Sequence, residues 1–162
     1  MTRMVRILAL AIAVMFGGGQ VSLAQTPAQI VKARQDAMEK MWTGYFKDIA
    51  TTIRSGNPNL SLIATNAAGA VEHEKKIAQL FPPGTGRDVV PTTRAKPEIW
   101  SQRADFEATL AALMDATRTI AADAKSGDVE KVKADWTVLA KACGGCHGGP
   151  KKSGGKFRFE EE

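Results

Sequence analysis

Cys143-Gly144-Gly145-Cys146-His147 constrains this chain more than any other stretch. It contains both cysteines of the 162-residue sequence, and a histidine follows the second directly. On a helix, residues three and four apart share a face, so Cys143, Cys146 and His147 can meet one ligand together. C-x-x-C-H is the attachment pattern of a c-type haem. Each thiol forms a thioether with a vinyl group, and the histidine supplies the proximal iron ligand. Gly144 and Gly145 put no side chain in the way of the macrocycle. The pattern also runs backwards along the chain. Val129, Val132, Trp136 and Leu139 step by three or four into Cys143, which places the haem on an apolar helix face near its C-terminal end.

Two other chemistries use C-x-x-C. A structural zinc site needs four ligands, yet the only other histidine is His73 and there is no second cysteine pair. A thioredoxin-like dithiol needs a βαβ context, and no β-rich alternating run is present. A haem-free exported helical protein with a redox dithiol is the remaining rival, and haem staining that survives denaturation would exclude it.

The first 24 residues read as a secretory signal. Arg3 and Arg6 precede an apolar run from Ile7 to Phe16, Gly17-Gly18-Gly19 breaks it, and Ser22-Leu23-Ala24 offers small residues for cleavage before Gln25. The run is shorter than the ~20 apolar residues of a spanning helix, so the expectation is export to the periplasm with no stable membrane span. Losing two arginines would take the net charge from +5 to +3. That is too mild a balance to argue for nucleic acid.

Ala and Lys are the commonest residues of the remainder, which favours helices. The first helix is expected from about Pro27 to Ile53, with Thr26 as cap and Ile30, Ala33 or Arg34, Ala37 or Met38, Met41 or Trp42, Tyr45, Ile49 and Ile53 along one face. The second runs from Asn59 or Ser61 to Leu80. Its apolar stripe is interrupted by Glu72-His73-Glu74-Lys75-Lys76, read as a solvated face, with His73 a weaker candidate for a distal ligand. Four of the seven prolines then fall between Pro82 and Pro97, predicting a long loop packed along the bundle. The third helix is expected from Pro97 to Lys125, and the fourth from an Asp128 cap to the Gly148-Gly149-Pro150 stop. Trp42, Tyr45, Trp100, Phe106 and Trp136 read as packing residues. Residues 151–162 read as a polar, mobile tail in which Phe157 and Phe159 could fold back. The fold class is therefore all-α: an antiparallel four-helix bundle over residues 25–150, with one covalent haem c on the C-terminal helix.

These residues resemble a known family, the class II c-type cytochromes, which contains cytochrome c-prime and its low-spin, methionine-ligated relatives. The resemblance rests on Arg34-Gln35-x-x-Met38, Leu80-Phe81-Pro82, Lys96-Pro97-Glu98-Ile99-Trp100 and Ala142-Cys143-Gly144-Gly145-Cys146-His147, in the family's order. It implies thioethers at Cys143 and Cys146, iron ligation by His147, and contacts from Arg34 and Gln35 to the haem propionates. Met38 falls where the family places either an apolar residue covering the distal face or an iron-binding methionine. The resemblance also implies pairing of two copies. The chain departs from the family after the motif. Relatives carry Phe-Arg or Tyr-Arg three and four residues beyond the histidine, where this chain has Pro150 and Lys151, while a Phe157-Arg158 pair comes later.

Two functions follow. With the Met38 thioether on iron, histidine/methionine ligation suits a one-electron carrier, a periplasmic protein with no substrate turnover of its own and redox proteins as partners. Met41 is a competing ligand on the same helix. With Met38 only packing, the iron is five-coordinate and the open face binds nitric oxide or carbon monoxide. The sequence reading takes the first as principal and the second as its alternative. Lys131, Lys133, Lys141, Lys151, Lys152 and Lys156 cluster in sequence near the haem site, where they either steer an acidic partner or form an ordinary solvated face.

Overall fold

The computed structural model describes residues 25–148 and 154–160. Residues 1–24, expected to be a secretory signal, and Gly149, Pro150, Lys151 and Lys152 lie outside the described residues. The described residues form six helices: α1 (Pro27–Met41), α2 (Lys47–Arg54), α3 (Leu60–Ala78), the short α4 (Glu98–Ser101), α5 (Arg103–Ser126) and α6 (Val129–His147). A π-helical turn, Trp42–Phe46, joins α1 directly to α2. The α1–α2 rod, α3, α5 and α6 make a four-helix bundle. The rod packs on α3, α3 on α5 and α5 on α6. Short connections at Ser55–Asn59 and Gly127–Asp128 turn each pair back on itself. None of the described helices is long and apolar enough to cross a membrane.

Local chemistry sets the helix ends. Thr26 and Gln29 form a reciprocal capping box, with Pro27 at the first helical position. Asn59 and Asp128 each accept a backbone N–H three residues on, at 3.0 Å. Gly127 closes α5 in the left-handed region, at φ +86°. The third helix differs from expectation, because Gln102 leaves helical geometry at φ −119°, ψ 50° and separates α4 from α5. Just before it, the Trp100 indole N–H donates to the carbonyls of Phe81 and Pro82, tying α4 to the end of the second helix.

The π turn has a packing consequence. Met41 and Phe46 are five residues apart, which in a regular α-helix would put them on different faces. The wider turn brings both into the core. It also lays the Tyr45 ring against α3, where a Cβ on Gly69 would lie 2.7 Å from Tyr45 Cε1. The sequence stripe placed Tyr45 inward. Phe46 is the buried residue, because the turn shifts the phase by one.

The proline-rich loop is held from inside. The Arg34 side chain is buried, and its guanidinium donates to Leu80 O, Thr85 O, Thr85 Oγ1 and Thr93 Oγ1 at 2.8–3.1 Å, while stacking 4.7 Å from the Phe81 centroid. The tail is packed rather than mobile over residues 154–160. Lys96 N–H donates to Phe157 O and Phe159 N–H to Arg94 O, an isolated antiparallel bridge to the segment before α4. Phe157 is 2% exposed and meets Phe106 edge-on at 5.3 Å, and Phe106 meets Phe81 at 4.8 Å.

Candidate functional site

The face of α6 that carries the motif opens onto a cavity of about 820 Å³ between the helices. That is within the ~300–1,000 Å³ typical of ligand and cofactor sites. Cys143, Cys146 and His147 all line it, on the last two turns of α6. The opposite wall comes from α1, the π turn and α3, through Met38, Met41, Phe46, Glu74 and Ile77. Phe81, Ile99, Phe106 and Leu110 add further apolar surface. Gln35, Arg94 and Arg158 also line the cavity.

The cavity fits a covalent haem. Two thiols and an imidazole reach it from one helix face, and most of its walls are apolar. A Cβ placed on Gly144 would meet nothing within 4 Å. Burial pushes both thiols up to about 11. At Cys143 the Glu74 carboxylate and Cys146 add to that effect. Both are therefore neutral thiols at physiological pH, the opposite of the lowered value that activates a redox dithiol.

The other expected site residues divide. Met38 lines the cavity and is half-buried against the core. Met41 lines it too and is 7% exposed. Gln35 lines the cavity from an exposed position. Arg34 borders the cavity, but its two terminal nitrogens are committed to the loop, through four bonds that leave the Nε–H as the remaining donor for any other group. Burial lowers its guanidinium to about 10, so it stays charged at neutral pH. In the structure its contacts are those of a loop anchor, whereas the resemblance gives it a propionate. His73 is accounted for elsewhere. Its Nε2 lies 2.8 Å from Ala37 O, and its ring stands 5.6 Å from Tyr45.

Sequence reasoning missed two contributors, Glu74 and Arg94, and left a third open, with Lys151 and Arg158 as alternatives. Glu74 belongs to the charge cluster read as solvated, yet it is 3% exposed. Its signal was its spacing, since Ile63, Ala67, Ala70, Glu74 and Ile77 step by three or four along the buried face of α3. Arg94 had no pattern to mark it. Arg158 was one of two candidates for the family's arginine after the motif. The structure brings Phe157 into the core and Arg158 to the cavity wall, so the pair returns to the site after the intervening Gly, Pro, Lys and Ser residues. Of the lysines, Lys131, Lys133 and Lys156 are paired with Asp128, Glu130 and Asp105, as on an ordinary solvated face.

A four-helix bundle whose last helix presents two thiols and an imidazole to one apolar cavity defines a c-type haem protein. Sequence relatives narrow the class. A profile of the family described as Cytochrome C' matches residues 29–149. Cytochrome c' of Rubrivivax gelatinosus is 31% identical over 124 residues, covering 76% of this chain and 94% of that protein. Cytochrome c' of Alcaligenes xylosoxydans xylosoxydans is 30% identical over 131 residues, covering 78% and 95%. Among solved structures, the nitric oxide complex of a single-residue variant of cytochrome c prime from Alcaligenes xylosoxidans matches with a TM-score of 0.72 at 25% identity, covering 85% of this chain and 99% of that one. A ferrous form of another variant gives 0.71 at 26% identity, covering 84% and 98%. The chain belongs to the cytochrome c' family and carries that family's single covalent haem c.

Proposed function

We propose that this protein binds nitric oxide or carbon monoxide at a five-coordinate haem, with His147 as the one protein ligand to iron and Met38 packed over the open face. The observation that carries the reading is the match, over 85% of the chain, to a protein solved as its nitric oxide complex. When bound, the haem supplies an open coordination position for a diatomic gas. The chain supplies the rest. Cys143 and Cys146 hold the group covalently, and α6 fixes the imidazole beside them. Met38, Phe46 and Ile77 keep that end of the cavity apolar, which favours small neutral ligands over hydrated anions. Methionine is also a common filler of irregular core space, and Met38 packs beside Ala37 at the core margin.

The principal sequence reading, a histidine/methionine one-electron carrier, is the second candidate. It is supported by the presence of Met38 on the cavity wall. Rapid mixing of the reduced holoprotein with nitric oxide separates the two. An open face gives a binding rate that rises in proportion to gas concentration. A ligating Met38 gives a rate that saturates at the value for thioether release, and Met38→Ala removes the plateau.

In either case the protein turns over no substrate of its own and takes electrons from a redox protein. A signal at residues 1–24 would carry it to the periplasm, which fractionation of expressing cells would test. Pairing of two copies rests on the resemblance alone, and sedimentation of the holoprotein would test it.

A further inference from the structure

The carboxyl of Glu74 is the one acidic group on the α3 wall of the cavity, and the proposed gas site makes no use of it. The residue is 3% exposed. Its Oε1 accepts from the Thr117 hydroxyl on α5 at 2.7 Å, a hydroxyl that shares its one hydrogen with Leu113 O at 2.9 Å. Its Oε2 is buried with no hydrogen-bond partner. A buried carboxylate with half its acceptors unmet is costly, and a proton on Oε2 removes that cost.

Several ionisable groups surround the cavity: Arg34 and Glu39 from α1, Arg94 from the segment before α4, Cys143, Cys146 and His147 from α6, and Arg158 from the tail, with Arg118 on α5 acting on Glu74. Burial is the dominant influence on Glu74. It raises the carboxyl to about 7, against smaller lowering effects from the Thr117 hydroxyl and the Arg118 charge. The Glu74 charge in turn acts on Cys143, so the carboxyl lies in electrostatic reach of a covalent attachment point of the haem.

We propose that Glu74 is a redox-linked proton site, taking up one proton from solvent when the haem centre takes one electron from a donor. An added electron places negative charge in a cavity of low dielectric, which raises the proton affinity of an acid close by. The electron comes from a one-electron donor and the proton from water. Oε2 holds the proton as a neutral carboxylic acid, and both leave again on oxidation. The net charge of the buried region is then unchanged by the redox step. The sign of the pH dependence follows. Below both values of the Glu74 equilibrium the acid is protonated in either redox state, and above both it is ionised in either. Between them, reduction takes up a proton, so the potential falls as pH rises.

The inference rests on the haem-loaded cavity but not on whether Met38 ligates. Redox titration of the holoprotein at a series of pH values tests it, read beside the infrared difference spectrum of reduced minus oxidised protein. One pH unit is a tenfold change in proton activity, so the slope approaches 59 mV per unit at its steepest. The expected result is a falling potential around neutral pH, with a protonated-carboxyl band appearing on reduction. Glu74→Gln loses both, and His73→Gln keeps both. Thr117→Val retains the carboxyl but removes the hydrogen bond that favours its charged form, and moves the falling segment to higher pH. That variant decides the matter should Glu74→Gln fail to hold haem. An unchanged slope and band in Glu74→Gln, or an unmoved segment in Thr117→Val, would overturn the assignment. A normal haem spectrum with a flat potential would remove the proton site and leave the gas-binding proposal standing.

Discussion

The two walls of the haem cavity are built on different principles. The α6 wall is made by one short motif, in which every functional atom is fixed by helical spacing alone. The facing wall is assembled from α1, the π turn and α3, and from a loop and a tail that the chain must fold before the cavity exists. The first wall attaches the cofactor. The second sets the shape, polarity and charge that the cofactor meets. Changes to the first should therefore be all-or-none, and changes to the second should be graded.

The largest effect expected is on attachment. Replacing Cys143 and Cys146 together by serine should abolish haem staining on a denaturing gel, and no change on the facing wall should do so. Next come the residues that close the cavity from outside the four long helices. Phe157→Ala should cost ~3–5 kcal/mol in chemical denaturation, because the ring is 2% exposed against Phe106. A mobile tail would give a value near zero.

Arg34 and Gln35 sharpen the comparison, since they are neighbours with one expected role. Arg34→Ala should cost ~2–4 kcal/mol by leaving the buried oxygens of the loop without donors. Gln35→Ala should stay within about 0.5 kcal/mol, as exposed substitutions usually do. Equal and small costs would return Arg34 to a role at the haem edge alone.

A further graded effect couples pH to stability. Glu74 is raised to about 7 from an ordinary value of 4.5, so between those two values the folded protein holds a proton that the unfolded chain has released. Stability should fall as pH rises from about 4.5 to 7 and level off above that, by on the order of 3 kcal/mol. Glu74→Gln should remove this component. A wild-type profile in the variant would mean the carboxyl titrates normally.

What could be read in advance follows the same division. The α6 stripe and the attachment residues were legible because helical period and chemistry coincide there. The bundle was legible from four apolar stripes and their turn residues. The facing wall was less so, for specific reasons. Phe46 was missed because one π turn shifts the phase, and a periodic reading assumes none. Glu74 was missed because its four charged or polar neighbours in sequence hide a position that still falls on the α3 stripe. The loop-anchoring role of Arg34 depends on Thr85 and Thr93, some fifty and sixty residues away, and no local pattern reports such a partner. The tail carries no helical period. Its close approach depends on glycine, because a Cβ at Gly155 would lie 2.2 Å from the Cys146 carbonyl.

Whether the facing wall leaves the iron open, as proposed, is read from the optical spectrum of the reduced holoprotein before and after carbon monoxide is added. An open iron gives a high-spin spectrum that shifts at once with the gas, and that stays high-spin in Met38→Ala. A low-spin spectrum that carbon monoxide barely alters, converted to high spin by Met38→Ala, would contradict it and make this protein a methionine-ligated electron carrier.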